Sequence, residues 1–123
     1  MTPTETFLLF VEAINAHDSA ALTALMTPDH VFIDSVGHRI EGAAPMVAGW
    51  RSYFSMCPDY WIRLTDLLAD GPLILAAGMA GGTLRATSWQ TPAAFKALIQ
   101  NDKVAEWRVF ADNKPVYEIL ARQ

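Results

Sequence analysis

Apolar residues recur at helical spacing in three stretches of the first half of the chain and alternate with polar ones through most of the second. Thr2-Pro3-Thr4-Glu5 has the form of a capping box with proline in the first turn, and Phe7, Phe10, Val11 and Ile14 follow on one face. Asn15-Ala16-His17 breaks that helix. Asp18 is placed to cap a second one bearing Ala21, Leu22, Leu25 and Met26, which Thr27-Pro28-Asp29 stops. A third helix is predicted from Ala43, with Pro45 in its first turn, ending at Cys57-Pro58-Asp59. It would present Met46, Val47, Trp50 and Phe54 on one side.

Between the second and third helices the period changes to two. Val31 and Ile33 mark one face of a strand, and His30, Phe32 and Asp34 the other, with a turn around Val36-Gly37. Downstream, Tyr60, Ile62 and Leu64 alternate with Trp61, Arg63 and Thr65. Ala69-Asp70-Gly71-Pro72 reads as a turn and Leu73–Thr83 as a long apolar strand. A loop is expected around Ser88–Pro92, then strands at Ala94–Gln100 and Lys103–Ala111 joined through Asn101-Asp102. If that joint is a two-residue turn, Lys96 and not Phe95 shares a face with Trp107; a longer loop reverses this. Asp112-Asn113 can cap a C-terminal segment whose Val116, Ile119 and Leu120 would pack at the rim.

Helices first and strands afterwards predict an α+β fold, a single domain over residues 1–123 with three N-terminal helices on one face of an antiparallel sheet. Gly78, Gly81 and Gly82 would let that sheet curl, and a curled sheet capped by helices makes a cone whose mouth suits a ligand.

Composition narrows the function. With 52% hydrophobic and 18% charged residues the chain must bury a core. Its net charge of −4 opposes nucleic acid or an anionic membrane as partner. No apolar run approaches the roughly 20 residues of a membrane span. A single cysteine, Cys57, excludes an internal disulfide, and the N-terminus lacks a secretory pattern, so a cytoplasmic location is expected.

Asp34 is the residue out of place. Its ordinary reading is a turn carboxylate facing Arg39 across a two-residue hairpin; its functional reading is an acid directed into an apolar pocket, able to move a proton. His30, Asp34 and His38 do not make a metal site, because four residues of strand span roughly 13 Å. Cys57 reads as helix-end packing, and the glycine string at 78–82 lacks the spacing of a phosphate loop. The tryptophans, with Tyr53 and Tyr60, supply apolar bodies with polar tips that can orient a planar ligand.

Three segments, "AINAHDSAALTALMTPDHVFIDSVGHRIEG", "WRSYFSMCPDY" and "DKVAEWRVFADNKPV", together resemble the nuclear-transport-factor-2-like superfamily, most closely its SnoaL-like (polyketide cyclase-like) and ketosteroid-isomerase-like members. The resemblance spans nearly the whole chain. It implies the cone fold, no cofactor or metal, and a pocket used by isomerases, cyclases, dehydratases and epoxide hydrolases, or by proteins with no chemistry. It places Asp34, in "FIDSVG", at the position of the steroid isomerases' general base. The tyrosine those enzymes aim at the enolate falls on Phe10, and Ala93–Ile99 holds none of the acid expected there. Val109, in "EWRVF", stands where the epoxide hydrolases carry an acid.

The expected pocket therefore has Asp34 as catalytic base, with Phe10, His30, Phe32, Trp50, Tyr53, Trp107 and Val109 around a small apolar molecule. The alternatives are a non-catalytic apolar-ligand binder and a dimerisation module. A homodimer is expected in either case, through the exposed sheet face bearing Trp61, Glu106 and Arg108.

Overall fold

The computed structural model describes residues 1–122. In chain order the elements are α1 (Pro3–Asn15), α2 (Ser19–Leu25), β1 (Met26–Ile33), β2 (Arg39–Glu41), α3 (Ala43–Met56), β3 (Trp61–Asp70), β4 (Leu73–Leu84), β5 (Thr87–Gln100), β6 (Lys103–Ala111) and α4 (Lys114–Ala121). The helix starts follow their capping residues. Thr2 Oγ1 accepts from Glu5 N at 3.1 Å, and Asp18 Oδ1 from Ala21 N at 3.0 Å. His17, at φ +55, turns the chain out of α1, donates from Nε2 to Tyr60 O at 2.7 Å and stacks on Phe54.

Six strands form one curled sheet in the order β2-β1-β6-β5-β4-β3. Four of its five pairings are antiparallel. The fifth, β1 with β6, is parallel, so the sheet is mixed and not wholly antiparallel. The C-terminal segment is a fourth helix, α4, with Val116 and Ile119 buried.

The expected loop at Ser88–Pro92 does not form. β5 runs unbroken from Thr87, and the reversal falls at Arg85-Ala86, both at positive φ. Pro92 is tolerated there because it lies just outside the first β5–β6 pair, Ala93 with Ala111, so no strand flanks it on that edge.

The inner face is built from Ile74, Ala76 and Ala80 on β4, Ala93, Phe95 and Ala97 on β5, and Trp107 on β6. Asn101 and Asp102 make a two-residue turn at φ +52 and +59, yet Phe95 and Trp107 share this face. A bulge explains it. Gln100 pairs with Lys103 and Ile99 with Val104, but Leu98 pairs with Glu106, so Ala105 is the extra residue. The slip of one reverses every side chain beyond it. Lys96 therefore lies outside, paired with Glu106 at 3.0 Å.

Among the described residues no helix is long and apolar enough to cross a membrane.

Candidate functional site

The curl of the sheet leaves a cavity of about 310 Å³ beneath α3. Its apolar wall comes from Phe32 on β1, Ile40 on β2, Met46 and Trp50 on α3, Ala80 on β4, Trp89 and Ala93 on β5, and Val109 and Ala111 on β6. Tyr53 from α3 and Tyr60, just before β3, add two phenols, and Thr91 a hydroxyl. Asp34, Ser35 and Asn113 line it as well. Ser35 and Asn113 also border a shallow surface depression with Val36, Lys114 and Tyr117, which puts this polar group at the outer end of the cavity.

Asp34 is the only charged residue lining the cavity among the described residues. It follows the last residue of β1 and opens a five-residue loop that returns to Arg39. That loop is longer than the two-residue hairpin expected, because Ile33 and not Asp34 pairs with Arg39. Two backbone amides hold its carboxylate: Val36 N donates to Oδ1 at 3.0 Å and His38 N at 2.9 Å. Oδ2 lies 3.3 Å from His38 Nδ1, with the Asp34 side chain 35% exposed and His38 at 83%. The anticipated partner, Arg39, turns instead to Glu41. One side of the carboxylate is thus fixed by its own loop while the group stays accessible to the cavity.

Of the other expected residues, Phe32, Trp50, Tyr53 and Val109 line the cavity. Phe10, His30 and Trp107 do not; they lie one layer deeper, with no solvent exposure. The narrow end of the curl is filled by rings. Trp107 sits 4.9 Å from Phe10 and 5.3 Å from both Phe7 and Phe95, measured between centroids. These residues form the floor beneath the cavity. His30 belongs to it, since its Nδ1 donates to Val104 O at 2.7 Å and burial lowers its pKa, keeping the imidazole neutral.

Ser35, Thr91 and Asn113 join the site with no sequence pattern to mark them, and Tyr60 joins it beyond the expected set. The polar end is already organised. Asn113 Nδ2 donates to Ser35 Oγ, and Thr91 Oγ1 donates to Asp112 O at 2.8 Å. The phenols are not: among the described residues neither hydroxyl has a hydrogen-bond partner. Burial raises the pKa of both, so both remain protonated donors. Tyr60 carried a sequence signal in its polar-tipped ring beside a strand start, but only the curl turns it inward.

Cys57 plays no part in this chemistry. It is buried at the C-terminus of α3, burial pushes its thiol pKa up, and its Sγ packs against Gly82.

The SnoaL-like domain family matches residues 8–116. No curated protein matches the chain. Among solved structures, the protein from Shewanella denitrificans OS-217 described as a SnoaL-like polyketide cyclase is 15% identical, with 98% of each chain covered and a TM-score of 0.87. Its counterpart from Jannaschia sp. CCS1 is 16% identical over 98% of this chain and 92% of that one, with a TM-score of 0.86. An LEH-like epoxide hydrolase from M. tuberculosis is 17% identical over 96% of this chain and 86% of that one, at 0.82. At these identities the likeness is one of fold.

Proposed function

The chain belongs to the SnoaL-like domain family, and on that premise we propose that it is a small-molecule enzyme that moves a proton on an apolar, carbonyl-bearing substrate. The observation that carries this reading is the solitary Asp34 carboxylate, the one charged group among the described residues lining a mainly apolar cavity. Asp34 is the general base. It takes a proton from a carbon beside the carbonyl, the C–H electron pair forms the enolate double bond, and the carbonyl π pair moves to oxygen. Returning the proton to another carbon of a conjugated enolate completes an isomerisation; attack by the enolate carbon on a second carbonyl, whose π pair moves to its oxygen and takes the proton back from Asp34, completes a cyclisation. Neither sequence needs an oxidant or a reductant.

The two backbone amides on Oδ1 support the role, because they fix the carboxylate's direction and leave Oδ2 against only the exposed His38 ring. His38 is no rival base for a ligand inside the cavity, since its ring is exposed and is not part of the wall.

The test is deuterium incorporation into β-tetralone, an apolar bicyclic ketone with an acidified C–H, followed by NMR in deuterium oxide. The wild type should exceed the buffer rate, and Asp34→Asn should lose about 10²–10⁴-fold of that acceleration. Exchange at the buffer rate, or equal exchange by Asp34→Asn, would leave a binding protein and remove the enzyme.

A further inference from the structure

We propose that Tyr53 and Tyr60 are the receptor for an acceptor oxygen, so that the cavity selects a planar apolar molecule with its carbonyl or phenolate oxygen at the end away from Asp34. The proposal rests on the reading of this cavity as the ligand site and deepens it by naming the groups that orient the ligand.

The argument begins with an accounting of donors. Thr91 has committed its proton to Asp112 O, whereas the Ser35 hydroxyl accepts from the Asn113 amide and keeps its own proton at the Asp34 end of the cavity. Tyr53 and Tyr60 have committed nothing, although Tyr60 is only 8% exposed and both rings line the cavity. With no protein acceptor among the described residues, the two hydroxyls face the cavity space and are free to donate to what fills it. The two rings lie edge to face, 4.9 Å between centroids, so the phenols are neighbours. One turn earlier on α3, the Trp50 indole N–H is buried without a partner among the described residues. This side of the cavity offers donors and no anion.

Position supplies the second half. Asp34 follows β1 and Tyr60 leads into β3, with β6, β5 and β4 between those strands in the sheet. A ligand that spans the cavity therefore meets a carboxylate at one end and O–H donors at the other. Its ring system lies along Phe32, Trp50 and Val109. Charge complementarity fixes the direction. An oxygen that gains negative charge is repelled by Asp34 and received by the phenols, which burial keeps protonated. Phe10 and the acid-free strand at Ala93–Ile99 leave no oxyanion donor at those two positions.

β-Naphthol tests this directly, because it carries a single oxygen on an apolar bicyclic ring and its ionisation is visible in absorbance and fluorescence. Bound to the wild type, it should ionise at lower pH than free in solution. Tyr53→Phe and Tyr60→Phe should each weaken naphtholate binding about tenfold, moving half-ionisation back by about one pH unit, with neutral naphthol little affected. Thermal unfolding of the Phe variants should be unchanged or higher, since no hydrogen bond is lost.

Equal loss of both probe forms in a Phe variant would make the phenols structural and overturn the proposal. So would no saturable binding by the wild type at millimolar probe. Unchanged probe titration in both Phe variants, with binding lost in Asp34→Asn, would show the opposite orientation and also overturn it. If instead the titrations behave as expected while Asp34→Asn still exchanges β-tetralone like the wild type, the receptor stands and only the proton-transfer reading falls.

Discussion

His30 shows how one side chain couples a strand pairing to pH. Its Nδ1–H donates to Val104 O, tying β1 to β6 where the sheet turns parallel, while Nε2 is buried without a partner among the described residues. Desolvation is the largest influence on the ring and lowers its pKa from 6.5. The unfolded chain therefore binds this proton more readily than the folded one. Stability is fully present above about pH 6.5 and falls as pH drops through the folded value. Relative to His30→Gln, whose amide can keep the bond to Val104, the wild type should lose stability as pH falls below about 6.5 and track the variant above it. Urea unfolding at a series of pH values measures this, and parallel curves throughout would contradict it. The periodicity of His30, Phe32 and Asp34 made their common face legible in the sequence. It did not reveal depth: His30 reaches the ring-filled floor, Phe32 the wall and Asp34 the outer end.

At the scale of elements, the curl that creates the cavity is written in small residues and extra ones. Thr65 is the additional residue in β3, because Leu64 pairs with Gly78 and Asp66 with Ala77. A Cβ on Gly78 would collide with the carbonyl of Arg63 in the neighbouring strand, so backbone would have to move. Gly78→Ala should destabilise by about 3 kcal/mol, the upper part of the overpacking range. Denaturant midpoints would show it, and a loss under about 0.5 kcal/mol would mean the sheet relaxes freely. Gly81 lies under the Trp61 ring, and Gly82 against Cys57. The first two helices were legible because capping residue and period agree, and the third by its period and Pro45 alone, its N-cap Gly42 making no side-chain bond. The second ends at Leu25, and Met26 through Asp29, expected to finish it, already lie in β1. Strand faces were legible too, but the joint at Asn101-Asp102 was not. Its turn has two residues, as the dipeptide indicates, and the bulge at Ala105 then cancels the register this implies. A bulge leaves no composition signal in Val104-Ala105-Glu106; the requirement to bury Trp107 beside Phe95 selects it.

The whole molecule has two sides with different needs. The inner face is spent on floor and cavity, whereas the outer face of β3 to β6 carries Leu68 at 75% exposure, with Leu75 and Phe110 at 47% each. The register sets these in rows with charge. Leu68, Leu75, Lys96 and Arg108 cross four strands in order, and Asp66, Ala77, Ala94 and Phe110 form the next row. Trp61 and Glu106 lie on the same face, with Arg63 stacked over Trp61 and Arg108 over Phe110. An apolar strip flanked by both signs of charge suits a second copy of itself. We propose a homodimer through this face. Sedimentation should give a dimer at micromolar concentration, and Leu75→Glu, placing a charge at the centre of the strip, should give a folded monomer with its probe titration intact. A wild type that sediments as a monomer at that concentration and above would remove the pairing. The cavity opens from the inner face, so its ligand chemistry would persist in either state.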